Sequence, residues 1–270
     1  MAPGINGKAP VVVAENLTIA GHDLRVFEAE SHLETGQNGL YIKVQDQTIT
    51  DNLIVSFTNS HPVVSQLAAI APFPSIKETC IAAMKALSSM RFLAFSPEVM
   101  RLPSFPGQTI LGDRGENLSS VLQGICKSPQ LKQALLVWIH NLAPIEFVDF
   151  DFPADFTGKI LLTLIDSNGQ KVSAYSVSDG ILRFLALLAA LFSSSPAQFY
   201  FFDPLESEIH PTRLHLLVEL IERKAFKQAI QIIGTTHSSQ LLRLLNPETI
   251  EYASLTYLSE NRSDARILRI

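Results

Sequence analysis

The sequence predicts an α/β protein: a mainly parallel buried sheet flanked by helices, preceded by an antiparallel β meander. Three observations carry this. From Ser178 onward, helix-like and strand-like stretches alternate, as they do where parallel strands carry helices on their faces. The two strand-like runs in that region, QFYFFD (198–203) and AIQIIG (229–234), are almost continuously apolar, the pattern of strands buried on both faces. Before residue 60 the pattern is instead short, β-like and repeatedly broken by turn residues.

Residues 1–10 mix Gly, Pro and Lys without an apolar period and read as a flexible lead-in. VVVA, LTIA, DLRVFEAE, LYIKV and TITDNLIVSF then follow between positions 11 and 57. Turn signals at Ala20-Gly21-His22-Asp23 and Gly36-Gln37-Asn38-Gly39 separate them and predict a meander with one wet face. Pro62 to Pro74 is a connection with a short helix over Val63–Ile70, and Ser75–Met90 reads as helix. RFLAFS (91–96) is a strand candidate that runs into a Pro-rich loop. Asn117 or Gly115 starts a helix ending near Lys127, and Pro129–Leu142 is an amphipathic helix carrying Trp138. Ile145–Phe150 is strand-like. Lys159–Asp166 and Gln170–Ser176 form a hairpin about the turn Ser167-Asn168-Gly169.

Next come a helix (178–194), a strand (198–203), a helix (211–225), a strand (229–234) and a helix (238–245). The tail closes in a hairpin around Glu260–Ser263. These elements divide into an N-terminal β region (1–60), a helical and loop subdomain (61–158) and a core (159–270).

With 270 residues and 47% hydrophobic content, the chain buries one large core or two smaller ones. A formal charge of -5 gives no global attraction to nucleic acid or an anionic membrane. Cys80 and Cys126 lie too far apart for a metal-spaced or redox pair, so they read as free thiols in a reducing cytosol. The N-terminus lacks the apolar core of a signal peptide, and the run Ile181–Phe192 falls short of the roughly 20 residues of a bilayer span. A cytoplasmic protein with no membrane partner is expected.

The chemistry lies at strand ends. In open α/β sheets ligands sit outside the carboxyl ends of the strands. Asp203 and the trio Thr236-His237-Ser238 fall there, and a carboxylate on a rigid strand end suits a hydrated Mg²⁺. Ser178-Asp179-Gly180 opens a long helix, where backbone N–H groups and the dipole favour anions. Each feature alone also has a structural reading: a turn cap, a satisfied core histidine, an N-cap.

Taken in order, S-D-G-I-L-R-F-L, then D-P-L-E-S-E-I-H-P, then I-G-T-T-H-S, the chain resembles the C-terminal half of ABC-type ATPases of the SMC/RecF-like branch. That branch includes AAA-type and overcoming-lysogenization-defect-like ATPases. R-F-L-A-F-S-P-E-V-M-R-L-P and L-G-D-R-G-E-N-L-S-S-V-L are also similar to it, so the resemblance covers about Arg91 to Leu245. It implies an ABC-ATPase-like head that binds ATP and Mg²⁺ at a dimer interface. Ser178, Asp179 and Gly180 would be the signature motif, touching the γ-phosphate across a homo- or hetero-dimer with another ATPase chain. Asp203 would be the Walker B carboxylate for Mg²⁺, and His237 the switch histidine. Glu206, Ile209, His210 and Pro211 match the following D-loop region. DNA handling and phage defence are implied by resemblance alone, since no basic run supports nucleic-acid binding.

Two departures bear on turnover. The family pattern places a glutamate directly after the Walker B aspartate, whereas here stands Pro204, which offers neither acid nor base; Glu206 is the candidate replacement, although its spacing two residues further along points its side chain elsewhere. The sequence also holds no G-x-x-x-x-G-K-[ST] P-loop; Gly4-Ile5-Asn6-Gly7-Lys8-Ala9 echoes only the end of one. The expectation is an ATPase-like subunit degenerate in hydrolysis or truncated, and the alternative is a non-hydrolysing regulatory subunit that completes a partner's ATP site. A serine hydrolase built on Ser178, Asp203 and His237 fails, because no G-x-S-x-G elbow surrounds Ser178.

Overall fold

The computed structural model describes residues 12, 14–19, 24–31, 39–44, 53–58, 60–70, 74–143, 146–193, 196–228, 230–258 and 265–269. Two compact units divide it, Met1–Ser89 and Met90–Ile270. In the first unit, β1 (Ala14–Ile19), β2 (Leu24–Ser31), β3 (Gly39–Val44) and β4 (Leu53–Thr58) form an antiparallel sheet in sequence order, the meander that the short runs predict. The two turn signals fall largely outside the described residues. Helices α1 (Val63–Ile70) and α2 (Pro74–Ser88) follow. Phe27, Val63, Leu67 and Cys80 are among the buried side chains of this unit's core. The Glu15 carboxylate accepts from the backbone N–H groups of Val63 (2.7 Å) and Val64 (2.9 Å), so a strand residue satisfies the open first turn of α1.

The second unit is built on a three-stranded parallel sheet, in the order β10 (Gln231–Gly234), β9 (Phe199–Phe202), β5 (Arg91–Leu93). Leu93, Tyr200 and Phe202 turn one face into the core. The other face corrects the sequence reading. In-register Phe92, Phe201 and Ile233 form a row along it, with the two rings 5.5 Å apart, yet Phe92 is 60% and Ile233 48% exposed. These strands are therefore buried on one face, not two.

Helix α6 (Asp179–Leu191) is the centre of this core, and every residue from Phe184 to Leu191 is buried. A helix apolar all round needs neighbours all round. It has them in α3 (Pro97–Met100), α4 (Leu118–Cys126) and α5 (Pro129–Leu142), with the Trp138 ring 6.2 Å from that of Phe184. The C-terminal end of α6 is closed by Lys224 of α7 (Leu214–Gln228), whose Nζ donates to the Leu191 carbonyl at 3.0 Å. Desolvation lowers the pKa of that amine, and its ammonium lies 3.5 Å above the Phe192 ring.

The predicted hairpin is present as β7 (Thr163–Asp166) and β8 (Lys171–Ser173), with Gly169 at φ +77°, a conformation that glycine takes without cost. β6 (Phe147–Asp151) pairs with β7 to make a third strand. Asn117 precedes α4 as expected, but its side chain does not cap the helix. It accepts from the Gly112 N–H (2.7 Å) and donates to Gln108 (2.7 Å) and the Ile110 carbonyl (2.9 Å), pinning the loop before the helix. Helices α8 (Ser239–Leu244) and α9 (Pro247–Ile250) and the ribbon β11 (Ser254–Leu258)–β12 (Ala265–Arg269) complete the chain. The predicted turn of that ribbon lies outside the described residues. Among the described residues no helix is long and apolar enough to cross a membrane.

Candidate functional site

Parallel pairing puts the ends of β5, β9 and β10 side by side, and the residues just past them become neighbours. Phe202 pairs with Gly234 and with Leu93. Asp203, the first residue beyond β9, donates its N–H to the Leu93 carbonyl at 3.2 Å, which leaves its side chain at the exposed strand end. Thr235, the first residue beyond β10, donates its hydroxyl hydrogen to Asp203 Oδ1. The Asp203–Pro204 peptide is cis.

Glu206 does not point away from this group, as its spacing suggests. Its Oε1 accepts the backbone N–H of His237 at 3.1 Å, while Oε2 is buried without a partner among the described residues. A buried carboxylate oxygen left without a donor calls for water or an ion. The His237 side chain is exposed, and the segment after it is fixed by Ser238, whose hydroxyl accepts from the Leu241 N–H (3.2 Å) as the N-cap of α8. The structure thus ties Asp203 to Thr235 and Glu206 to His237.

The Ser178 turn lies at the N-terminus of α6. Ser178 caps that helix, its hydroxyl accepting from the Ile181 N–H at 3.4 Å. Asp179 is paired with Arg101, which donates to its Oδ1 (2.6 Å) and to the Val177 carbonyl (2.7 Å). Gly180 packs against the far end of the loop after β9, where a Cβ would lie 2.3 Å from the Glu208 carbonyl oxygen. Glu208 itself sits at φ +63°, a left-handed conformation uncommon outside glycine and asparagine. Ser178 and Asp179 therefore have their described partners in Ile181 and Arg101, not in Asp203 or His237. His210 caps the turn Pro211–Arg213, its ring nitrogen accepting from the Thr212 N–H at 3.4 Å.

Arg101 and Thr235 were not singled out by their place in the sequence. Arg101 meets Asp179 from 78 positions away, and Thr235 is the residue just before the trio that draws attention. Arg101→Ala is expected to cost about 1–2 kcal/mol, because it strips a charge-assisted pair from a partly exposed turn. A shift in the midpoint of denaturant unfolding, with an unchanged slope, checks this.

Among the described residues no group of three or more His, Cys, Asp or Glu side chains converges as a metal cage. The donor set does suit Mg²⁺, which keeps several waters and binds through one or two carboxylates together with phosphate oxygens. Asp203 is a carboxylate that could hold it, and its Oδ1 accepts the Thr235 hydroxyl hydrogen.

A family model described as "AAA domain, putative AbiEii toxin, Type IV TA system" matches residues 59–243. No curated protein matches the chain. Among solved structures, a head domain of SMC bound to the C-terminal winged-helix domain of ScpA is 11% identical with a TM-score of 0.44, covering 93% of this chain and 77% of that one. A structure from work on ATP-driven dimerization and DNA-stimulated activation of SMC ATPases is 13% identical with a TM-score of 0.39, covering 56% and 89%. An Smc head with coiled coil and joint from Pyrococcus yayanosii is 15% identical with a TM-score of 0.38, covering 52% of this chain but only 26% of that one. The family model spans well over half of the sequence, including Ser178, Asp179, Gly180, Asp203, Glu206 and His237, and the chain belongs to this AAA-domain family.

Proposed function

We propose that the chain binds ATP with Mg²⁺ at an interface with a second ATPase chain and hydrolyses it slowly or not at all. What supports the reading most is the pair of strand ends: a carboxylate oriented by a neighbouring hydroxyl, beside a histidine segment tied to Glu206. In it, Asp203 holds the metal, His237 meets the outer phosphate, and the exposed Ser178-Asp179-Gly180 turn faces a triphosphate held largely by the partner. Mg²⁺, when bound, supplies positive charge to the phosphate oxygens. Slow turnover follows from Pro204, which stands where the family pattern carries a glutamate and has no group to orient an attacking water. The same departure favours the second reading, a non-hydrolysing subunit that completes a partner's site. A role in DNA handling or phage defence rests on the resemblance alone, and the charge of -5 gives no global attraction to DNA; cytoplasmic location rests on the two separated cysteines and the N-terminal composition.

Titration with a fluorescent ATP analogue such as MANT-ATP, with and without Mg²⁺, tests this. Binding is expected to be strengthened by Mg²⁺, and Asp203→Ala to reduce the Mg²⁺-dependent part about tenfold or more. Equal binding by wild type and Asp203→Ala removes the metal role. Rapid phosphate release that Asp203→Ala abolishes would overturn slow turnover.

A further inference from the structure

We infer that Thr235 is a positioning residue that sets the direction in which Asp203 presents its carboxylate to Mg²⁺; this rests on the nucleotide reading above. Thr235 meets the segment around Asp203 at three points. Its N–H donates to the Phe202 carbonyl at 3.0 Å, and its carbonyl accepts from the Leu205 N–H at 2.9 Å. Those two bonds bracket Asp203 and Pro204, and Pro204 has no N–H of its own to offer. The third contact is the hydroxyl on Asp203 Oδ1.

The backbone bonds extend the pairing of β9 and β10 past its end and hold the fold whatever the side chain at 235. The hydroxyl adds something separable. An exposed carboxylate rotates among several orientations, and a donor on one oxygen selects one of them. Threonine is suited to the task, because its branched Cβ restricts its own rotation. With Oδ1 engaged once on an exposed residue, Oδ2 and the remaining lone pair of Oδ1 keep their acceptor capacity for a cation or a bridging water. The orientation is thus fixed before the ion arrives, instead of being ordered at its expense.

The hydroxyl can be removed without removing the backbone bonds. The chain with Thr235→Val, Thr235→Ser or Asp203→Ala is titrated with MANT-ATP at a series of Mg²⁺ concentrations, and thermal unfolding is recorded for each variant. Thr235→Val is expected to raise the Mg²⁺ concentration needed for half-maximal enhancement about tenfold, in the range seen when the support of a metal ligand is lost, with Mg²⁺-free binding unchanged. Thr235→Ser, which keeps the donor, is expected to stay within about twofold of wild type. Thr235→Val matching wild type overturns the role, as does Thr235→Ser failing as badly as Val, since methyl packing would then be at work. Equal loss with and without Mg²⁺ overturns it too, as loosening of the strand end. If Thr235→Val fails to fold, an unimpaired Thr235→Ala overturns the role and an impaired one sustains it. Absence of any Mg²⁺-dependent binding by wild type sinks the nucleotide reading together with this one. Binding lost in Asp203→Ala but intact in Thr235→Val sinks only the role of Thr235.

Discussion

Gly180→Ala is expected to destabilise the protein by about 1–3 kcal/mol and to displace the turn that opens α6. The added Cβ would stand 2.3 Å from the Glu208 carbonyl oxygen, 3.2 Å from its carbonyl carbon and 3.7 Å from the Ile209 Cα. All three are backbone atoms, so no side-chain rotation relieves the overlap. The opposing chain has little room to retreat. Ile209 is buried, and its N–H donates to the Glu206 carbonyl at 3.0 Å. Gly124→Ala in α4 is the control, since nothing lies within 4 Å of a Cβ there. It is expected to be neutral or to stabilise by up to about 1 kcal/mol through helix propensity alone. Thermal unfolding of the two variants side by side reads the difference. Equal melting temperatures would show that the Glu208 loop yields freely.

Phe184→Ala is expected to be worse, costing about 3–5 kcal/mol, which is a large part of the 5–15 kcal/mol that holds a typical domain together. Phe184 has no exposed surface and lies in the run of α6 where every residue is buried. Its neighbours cannot collapse into the vacancy easily, because Leu182, Leu185 and Leu188 are themselves fully enclosed. Urea unfolding measures the cost. A loss below about 1 kcal/mol would mean that the helix packing is far looser than the burial implies.

Much of this architecture was legible because its signals are local. Ser128-Pro129 supplies a cap and a first-turn proline, so α5 begins where the sequence places it; the meander follows from short β-like runs broken by turn residues, and the hairpin from Asn168-Gly169. Illegible were features that depend on what lies across space. A four-residue apolar run such as FYFF reads the same whether one face or two is covered. The pairing of β6 with β7 and the bond between Arg101 and Asp179 join distant stretches that no local pattern marks. Of the residues proposed for the site, Asp203 and His237 stand out by strand-end position and resemblance, whereas nothing local marks Thr235, because a threonine at the end of a strand is ordinary.

The protein also carries its own optical probe. Trp138, the single tryptophan of the sequence, sits on α5 beside Phe184, with the Arg223 guanidinium 5.9 Å from its ring. Its emission consequently reports on the second unit, where three helices meet. Comparing that signal with far-ultraviolet circular dichroism, which sees both units, reveals whether they melt together or in turn.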